Sequence, residues 1–433
     1  MSMSVRTRFA LRTMALDGLC LLIAGGLVSM YLFGTWLPWE SPVLVPRFNP
    51  RPMVGLLIAG VMGGSWLSIR LVERTFPRPS YPRAFTAVAF ALLLVATTSF
   101  FLRTYYSGRY TILTLAGWLI LALLHRSVRR QTRWEENLVV ITDEKGLADD
   151  LADSPHANVV EIHDPQGEPP AHSLPPGTIL VLDLRAALSD GMARFVSSST
   201  MAGFDVRALS NVYEEHTGRS PLVHLAEGWE ISVPLERRAP YAPFKRVIET
   251  LLVAITSPIW LLLGAITWAV IRLDSPGPPI FRQPRVGRNG EPFTMYKFRT
   301  MVEGADDDGP MFTALDDPRI TRVGRFLRAT RLDEIPQLWN VLKGEVAIVG
   351  PRAEQVAFAQ QFEILIPFYR YRHLVRPGIT GWAQVNSGYA DDLEDTIVKL
   401  TYDLYYVRHM TPWLDLAIIW KTLETVFARR GAR

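Results

Sequence analysis

Four apolar stretches, at roughly 14–34, 53–72, 84–102 and 110–125, fill most of the first 125 residues of this 433-residue chain. Each approaches the ~20 residues with which an α-helix crosses a bilayer core, where backbone N–H and C=O groups must be bonded within the segment. That requirement leaves helices as the fold of this region. Flanking arginines set its orientation. Arg6, Arg8 and Arg12 precede the first stretch, Arg70, Arg74, Arg78 and Arg83 separate the second from the third, and Arg126, Arg129, Arg130 and Arg133 follow the fourth. The other two connections hold only Arg47, Arg51, Arg103 and Arg109. Excess Arg and Lys marks cytoplasmic ends, so the N-terminus and the region after residue 126 are both expected in the cytoplasm. A soluble bundle of buried helices has no reason to alternate its flanks in this way. The basic, then apolar N-terminus lacks a small-residue cleavage site and is expected to stay as an anchor.

Apolar residues make up 48% of the chain, and the mean hydropathy of +0.12 is high for a wholly soluble protein. The excess sits in the first 125 residues and near 247–271. The net charge of +4 is modest, and no nucleic-acid partner is expected from it. The single cysteine, Cys20, excludes an intrachain disulfide and a Cys-based metal site.

From Asn137 to Ser210 the texture changes. NLVVITD, NVVEIHD, TILVLDL and FDVRALS are short β-branched runs, with helix-compatible stretches at 144–152 and 189–201. Alternating strands and helices predict a small α/β domain with a parallel sheet. The first strand runs into TDEKG, so the glycines that admit a pyrophosphate to the backbone are missing and a nucleotide site is not expected. The stretch 211–244, with Pro221, Pro234, Pro240 and Pro243, predicts a linker.

KRVIETLLVAITSPIWLLLGAITWAVIRLD follows, and Val247 to Ile271 is long enough to span a membrane. A fifth crossing would place Arg272, Arg282, Arg285, Arg288 and everything after them outside, against the charge rule. Ser257-Pro258 offers another path. Proline donates no backbone hydrogen bond and clashes with the preceding turn, so the helix bends there. A bent helix can enter one leaflet and return, provided the carbonyls near residue 254 find partners, with the Thr256 or Ser257 hydroxyls as candidates. A kinked spanning helix is the simpler alternative.

The chemistry concentrates downstream, in FRQPRVGRNGEPFTMYKFRTM, DPRITRVGRFLRATRLDEIPQLWN and VAIVGPRAE. Arg319, Arg322, Arg325, Arg328 and Arg331 recur every third residue, which on one helix makes a slowly winding stripe opposite Ile320, Val323, Phe326 and Leu327. Most of the stripe suits solvent or lipid headgroups; one or two members can bind phosphate bidentately. Lys297 and Arg299 share one face of the strand-like MYKFRTM.

Asp333 and Glu334 come next. Thr330-x-x-Asp333 fits a capping box, a purely structural role. The same geometry also fits catalysis, since a helix N-terminus and nearby arginines hold Asp333 ionised and attract a phosphorylated donor. Such a carboxylate can attack phosphorus and form an acyl phosphate. Adjacent helical residues diverge, so Glu334 suits a divalent cation such as Mg²⁺ better than a proton shared with Asp333. Gly350-Pro351-Arg352 presents a fixed cation at a strand end, and Pro377–Trp382 forms a turn after Arg376. Asp306–Asp308 reads as a loop, and His373 and His409 read as bystanders. The C-terminal segment, apolar at Leu414, Ile418, Leu423 and Phe427 with Trp413 and Trp420, fits the membrane interface and core packing equally.

Residues 241–430 resemble the bacterial sugar transferases, the monotopic phosphoglycosyl transferases. The resemblance rests on KRVIETLLVAITSP, SPGPPIFRQPRVGRNGEPF, YKFRTM, DPRITRVGRFLRATRLDEIPQLWNVLKGE, VGPR and RPGITGWAQV, in that order. The layout is similar to the large membrane-spanning members, polyprenyl-phosphate glucose or galactose phosphotransferases that start exopolysaccharide or O-antigen synthesis. This implies four transmembrane helices in 1–133, a Rossmann-like α/β domain in 134–212, a linker in 213–240 and a monotopic α/β catalytic domain in 241–433. A re-entrant helix is implied at 245–273, broken at Ser257 and Pro258. It further implies that Asp333 attacks the β-phosphate of a UDP-sugar, expels UMP, and passes the phosphosugar to undecaprenyl phosphate at the cytoplasmic face of the inner membrane. The resemblance implies an Mg²⁺ requirement. Lys297, Arg299, Arg319, Arg325, Arg328, Arg352 and Arg376 are the expected phosphate-binding residues, and the helices leave surface for a homodimer. Two departures stand out: the common GPRP reads GPRA, with Ala353 expected to loosen the loop, and the acid after KR is Glu249 rather than aspartate. A silent scaffold would tolerate Asp333→Asn, and a glycosyltransferase making a glycosidic bond would release UDP instead of UMP.

Overall fold

The computed structural model describes residues 5–41, 50–72, 81–102, 107–129, 135–170, 174–225, 241–305, 317–387 and 392–427. Arg47, Arg74, Arg78, Arg103, Arg130, Arg133, Pro234, Pro240 and Asp306–Asp308 lie outside them. The chain forms two compact units, Met1–Thr217 and Gly218–Arg433.

In the first unit, helices α1 (Val5–Phe33), α2 (Arg51–Val72), α3 (Tyr81–Leu102) and α4 (Gly108–Arg129) cover the four apolar stretches. Leu11–Glu40, Ala84–Phe101 and Gly108–Val128 are long and apolar enough to cross a membrane. Small residues face inward, among them Ala84, Ala87 and Ala91, while Leu22, Leu93, Phe100, Ile112 and Ile120 point outward. A Cβ on Gly60 would lie 2.7 Å from Ala91 Cα, and one on Gly64 2.7 Å from Ala87 Cα. The Gly-x-x-x-Gly spacing therefore lets α2 and α3 touch along their backbones, the way helices associate where lipid removes the hydrophobic driving force.

One polar cluster interrupts this apolar interior. Arg126 donates from both Nη atoms to the fully buried Asp17 carboxylate, at 2.8 and 2.7 Å. Ser65 and His125 bond the same carboxylate at 2.5 and 2.8 Å, and the Trp118 indole donates to the Asp17 carbonyl at 2.9 Å.

Strands β1 (Glu136–Ile141), β2 (Ala157–His163), β3 (Ile179–Leu182) and β4 (Asp205–Ala208) form a sheet in the order β2-β1-β3-β4, every pair parallel. Strand β1 is buried on both faces, as a parallel sheet requires. Leu138 and Val140 pack with residues of α5 (Lys145–Ala152) and α7 (Leu209–Thr217), and Val139 and Ile141 pack with Met192 of α6 (Asp190–Met201). Ser189 caps α6 by accepting from Met192 N at 3.2 Å. Between the ends of β1 and β3, where open α/β sheets take their ligands, Thr142 donates to buried Asp183 at 3.0 Å. Residues 213–217, expected in the linker, complete α7 instead. Tyr213 is 2% exposed and donates to Asp150 at 2.6 Å, so the sheet's core holds the helix past the expected boundary.

In the second unit a 3₁₀ turn at Leu222–His224 precedes α8 (Tyr241–Ile255) and α9 (Ser257–Asp274), which are interrupted at Thr256. The Thr256 hydroxyl donates to Leu252 O at 2.7 Å, and the Trp260 indole donates to Val253 O at 2.9 Å. Thr256 was an expected partner at this break; Trp260 was not. Ile248, Leu251, Ile255, Ile259, Leu262 and Ile266 are all exposed, and α9 has the length and hydropathy to cross a membrane. Next come the antiparallel hairpin β5 (Ile280–Val286) and β6 (Pro292–Phe298), turned through Asn289 and Gly290, both at positive φ. Then follow α10 (Arg322–Thr330), α11 (Gln337–Lys343), β7 (Ala347–Val349), α12 (Val356–Leu365), β8 (Gly378–Thr380), α13 (Trp382–Asn386), α14 (Leu393–His409) and α15 (Pro412–Phe427). Strands β7 and β8 pair in parallel.

A buried network ties the membrane-facing helix to this unit. Lys245 of α8 meets Glu249 at 3.0 Å and Asp415 of α15 at 2.5 Å. Tyr241 and Tyr406 donate to the same Asp415 at 2.7 and 2.8 Å, and Glu249 accepts from Ile348 N at 2.9 Å. Leu414 and Ile418 are buried beside it, so core packing accounts for that face of α15.

Candidate functional site

The arginine repeat does not form one helix. Thr321 caps α10 by accepting from Gly324 N at 2.9 Å, and Arg331 ends it in the left-handed region at φ 58°. Arg319 and Arg331 therefore fall outside the helix. The capping box also fails to form, since the Thr330 hydroxyl turns back to Phe326 O at 2.8 Å. Asp333 and Glu334 instead occupy a single 3₁₀ turn, Leu332–Glu334, between α10 and α11. Gly324 makes this placement possible. A Cβ there would lie 1.9 Å from Thr300 O, so only glycine lets α10 press against the end of the β6 hairpin that carries Lys297.

Asp333 is 9% exposed, and among the described residues its Oδ1 has no hydrogen-bond partner. Burial pushes its carboxyl above the ordinary value, and Glu334 adds to that, against Lys297, Arg331 and Arg328. Glu334 Oε1 lies 3.3 Å from Arg331 Nη1 and 4.0 Å from Lys297 Nζ. Lys297 is pushed down to about 8, first by burial and then by the Arg352 cation, with Glu334 pulling the other way. A cleft lined by Arg285, Lys297, Glu334, Gln337 and Arg352 opens beside this turn.

The Gly350–Ala353 loop forms one wall. Gly350 N donates to Thr380 O and Gly378 N to Pro351 O, each at 2.8 Å. A Cβ on Gly378 would sit 2.1 Å from Gly350 N, so glycine is required where the two loops cross. Arg285 Nη1 donates to Ala353 O at 2.9 Å and Arg372 Nη2 to Arg352 O at 3.0 Å. Four hydrogen bonds thus hold the loop that Ala353 was expected to loosen. Arg372 is itself fixed by buried Asp403 at 2.7 Å, and burial pushes Asp403 up to about 6 despite that cation. Burial pushes His373 down to about 3, so it stays neutral.

The structure gathers Lys297, Asp333, Glu334 and Arg352, with Arg328 near enough to act on Asp333 while its Nε donates to Thr300 at 2.9 Å. It separates the others. Arg299 is 9% exposed and donates to the Pro276 and Ser275 carbonyls, which fixes the turn after α9. Arg319 clasps Asp317 at 2.7 and 2.9 Å and reaches Ala305 O, and its bonds hold Asp317 down at about 2. Arg325 is exposed on α10, and Arg376 does not line the cleft. In this structure both Arg299 and Arg319 are engaged by partners outside the cleft.

Two cleft residues escaped sequence reasoning. Arg285 stands in the quoted FRQPRVGRNG run but looked like one cation among many. Gln337 follows the dyad by three residues, and no charge or spacing signals it.

The sequence pattern of the bacterial sugar transferase family matches residues 240–429, the stretch that holds this cleft. A UDP-N-acetylgalactosamine-undecaprenyl-phosphate N-acetylgalactosaminephosphotransferase of Aeromonas hydrophila is 42% identical over 258 residues, 59% of this chain and 60% of that protein. A UDP-glucose:undecaprenyl-phosphate glucose-1-phosphate transferase of Escherichia coli K12 is 44% identical over 188 residues, 43% of this chain and 40% of that protein. The exopolysaccharide production protein PSS of Rhizobium leguminosarum bv. phaseoli is 42% identical over 166 residues, 37% of this chain and 83% of that protein. The chain thus spans 60% and 40% of the first two relatives. With most of the third relative's length matched at this identity, and the family pattern falling on the unit that carries the dyad, the chain belongs to the bacterial sugar transferase family.

Proposed function

We propose that this protein transfers a hexose 1-phosphate from a UDP-sugar to undecaprenyl phosphate and so begins the assembly of an extracellular glycan. The observation that carries the reading is Asp333 Oδ1, buried and, among the described residues, without a partner beside Lys297 and Glu334. A buried carboxylate oxygen left unbonded is costly unless a substrate completes it. In the first step Oδ1 attacks the donor β-phosphorus. The bond from that phosphorus to the bridging oxygen breaks, and UMP leaves with the electron pair. In the second step a phosphate oxygen of undecaprenyl phosphate attacks the same phosphorus and the Asp333 carboxylate departs. Lys297 and Arg352 meet the donor phosphates, and Arg328 supports the charge at Asp333. The names of the relatives include both N-acetylgalactosamine and glucose transferases; glucose or galactose is our choice for this chain.

Mg²⁺ fits the donor set. Among the described residues no three His, Cys, Asp or Glu converge, but the Glu334 carboxylate on the cleft wall suits a hard cation that takes its remaining ligands from phosphate and water. Glu334 would hold it, and when bound it would offset the charge of the diphosphate. We read α8–α9 as re-entrant, with the Thr256 and Trp260 bonds satisfying its bend, and the catalytic unit as lying on the cytoplasmic face of the inner membrane. The four-stranded parallel sheet we read as Rossmann-like, without a nucleotide.

The test uses the purified full chain with a labelled UDP-hexose and no lipid acceptor. A stoichiometric release of UMP and a hydroxylamine-sensitive phosphosugar adduct are expected, and Asp333→Asn should abolish both. Release of UDP, or an adduct that persists in Asp333→Asn, would overturn the reading.

A further inference from the structure

We infer that Gln337 reads the hydroxyl groups of the sugar carried by the donor. This rests on the phosphosugar transfer proposed above and adds a determinant of which sugar is accepted. Gln337 is the first residue of α11 and is 3% exposed, yet its side chain lines the cleft beside Glu334 and Lys297. Among the described residues no group hydrogen-bonds its amide. With the rest of the residue buried, that amide is open only toward the cleft, where a bound ligand can complete it.

The chemistry of the wall narrows that ligand. The other polar side chains there are the cations Arg285, Lys297 and Arg352 and the carboxylate of Glu334. Cations answer phosphate oxygens, which only accept. A glutamine amide both donates and accepts, which matches a hydroxyl, itself donor and acceptor. Of the donor's parts close to the reacting phosphorus, the sugar ring is the one rich in hydroxyls. The helix that carries it is anchored at its other end. Arg246 donates to Val341 O and, at 2.8 Å, to Leu342 O, closing the C-terminal end of α11, while Asn340 anchors the same helix to Thr294 O at 2.8 Å. An amide presented from an anchored helix discriminates between hydroxyl positions, because a misplaced hydroxyl leaves polar groups in the cleft unpaired.

The experiment compares the wild type with Gln337→Met, which keeps the volume and removes the amide, and with Gln337→Glu. kcat/KM is measured for UDP-glucose, UDP-galactose, UDP-N-acetylglucosamine and UDP-N-acetylgalactosamine, alongside thermal melting in detergent and inhibition by UMP. The inference predicts that the ratio of kcat/KM between the preferred sugar and its epimer changes at least tenfold in Gln337→Met, with UMP inhibition unaltered. A uniform loss across all four sugars, or unchanged ratios, overturns it. Weakened UMP inhibition with unchanged ratios assigns the amide to the nucleotide and overturns it too. If Gln337→Met melts far below the wild type, the ratio in Gln337→Glu decides. Absence of Asp333-dependent UMP release from the wild type would instead defeat the underlying transfer reaction.

Discussion

Lys297 has its charge change brought within reach of physiological pH. Burial and the neighbouring Arg352 lower it from 10.5 to about 8, so the side chain is a cation below that pH and neutral above it. If its charge receives the donor diphosphate, kcat/KM should fall by about tenfold per pH unit above the pKa, because this parameter reports the free enzyme. Protonation of Asp333, raised above the usual carboxylate range, supplies the acid limb. Stability runs the other way. The unfolded lysine keeps its proton to 10.5 while the folded one has shed it, so the unfolded chain binds more protons between about 8 and 10.5 and stability rises across that window. Lys297→Arg, which stays charged throughout, should remove the alkaline limb from UMP-release rates measured between pH 6 and 10. A limb that stays in place would assign it to another group. The charged types at this site were legible in the sequence, but their duties were not. Lys297, Arg299 and Arg319 look alike on paper. What separates them is whether a carbonyl such as Ser275 O or Ala305 O, 24 or 14 residues away, reaches the guanidinium first.

At the scale of elements, the bend between α8 and α9 shows how local rules become legible. Pro258 announces the interruption, since its missing N–H frees a carbonyl one turn back. Thr256 is a visible partner because threonine hydroxyls bond i−4 carbonyls. Trp260 was not visible, because an indole bonding a carbonyl seven residues earlier has no sequence periodicity. The α10 stripe failed for the opposite reason. A three-residue repeat of arginines suggested one long helix, but Thr321 and the left-handed Arg331 cut it at both ends. Re-entry carries a direct prediction. In a Cys20→Ser background, Pro243→Cys before the bend and Asp274→Cys after it should both react with a membrane-impermeant maleimide from the cytoplasmic side of inverted vesicles. Reaction of only one of the two from that side would identify a spanning helix. Trp260→Phe removes the indole bond to Val253 O, leaving the weaker 3.3 Å contact from the Thr256 hydroxyl, and should cost about 1 kcal/mol in thermal denaturation of the full chain.

At the scale of the whole molecule, the N-terminal bundle holds a buried contact that no sequence window contains. Arg126 was read as a flanking charge that marks the cytoplasmic end of α4. It is instead 1% exposed and bound through both Nη atoms to Asp17, 109 residues away. The apolar stretches and the Gly60-x-x-x-Gly64 spacing could be read locally, but the contact that joins α1 to α4 links residues 109 positions apart and exists only when those two helices pack together. A charged residue within a membrane segment is expensive unless matched, so the partner that satisfies Asp17 also selects the helix that lies beside it. Asp17→Asn strands the buried Arg126, and Arg126→Met strands Asp17 with only Ser65 and His125. Each is expected to destabilise the detergent-solubilised chain by roughly 3–5 kcal/mol, the cost of leaving one buried charge unpaired. Asp17→Leu combined with Arg126→Leu should be milder than either single change, since an apolar pair of similar bulk removes both charges together. Thermal unfolding followed by size-exclusion chromatography measures all three. If the double variant melts below both singles, the ion pair is not what aligns α1 with α4, and the apolar and glycine contacts alone would have to position the bundle.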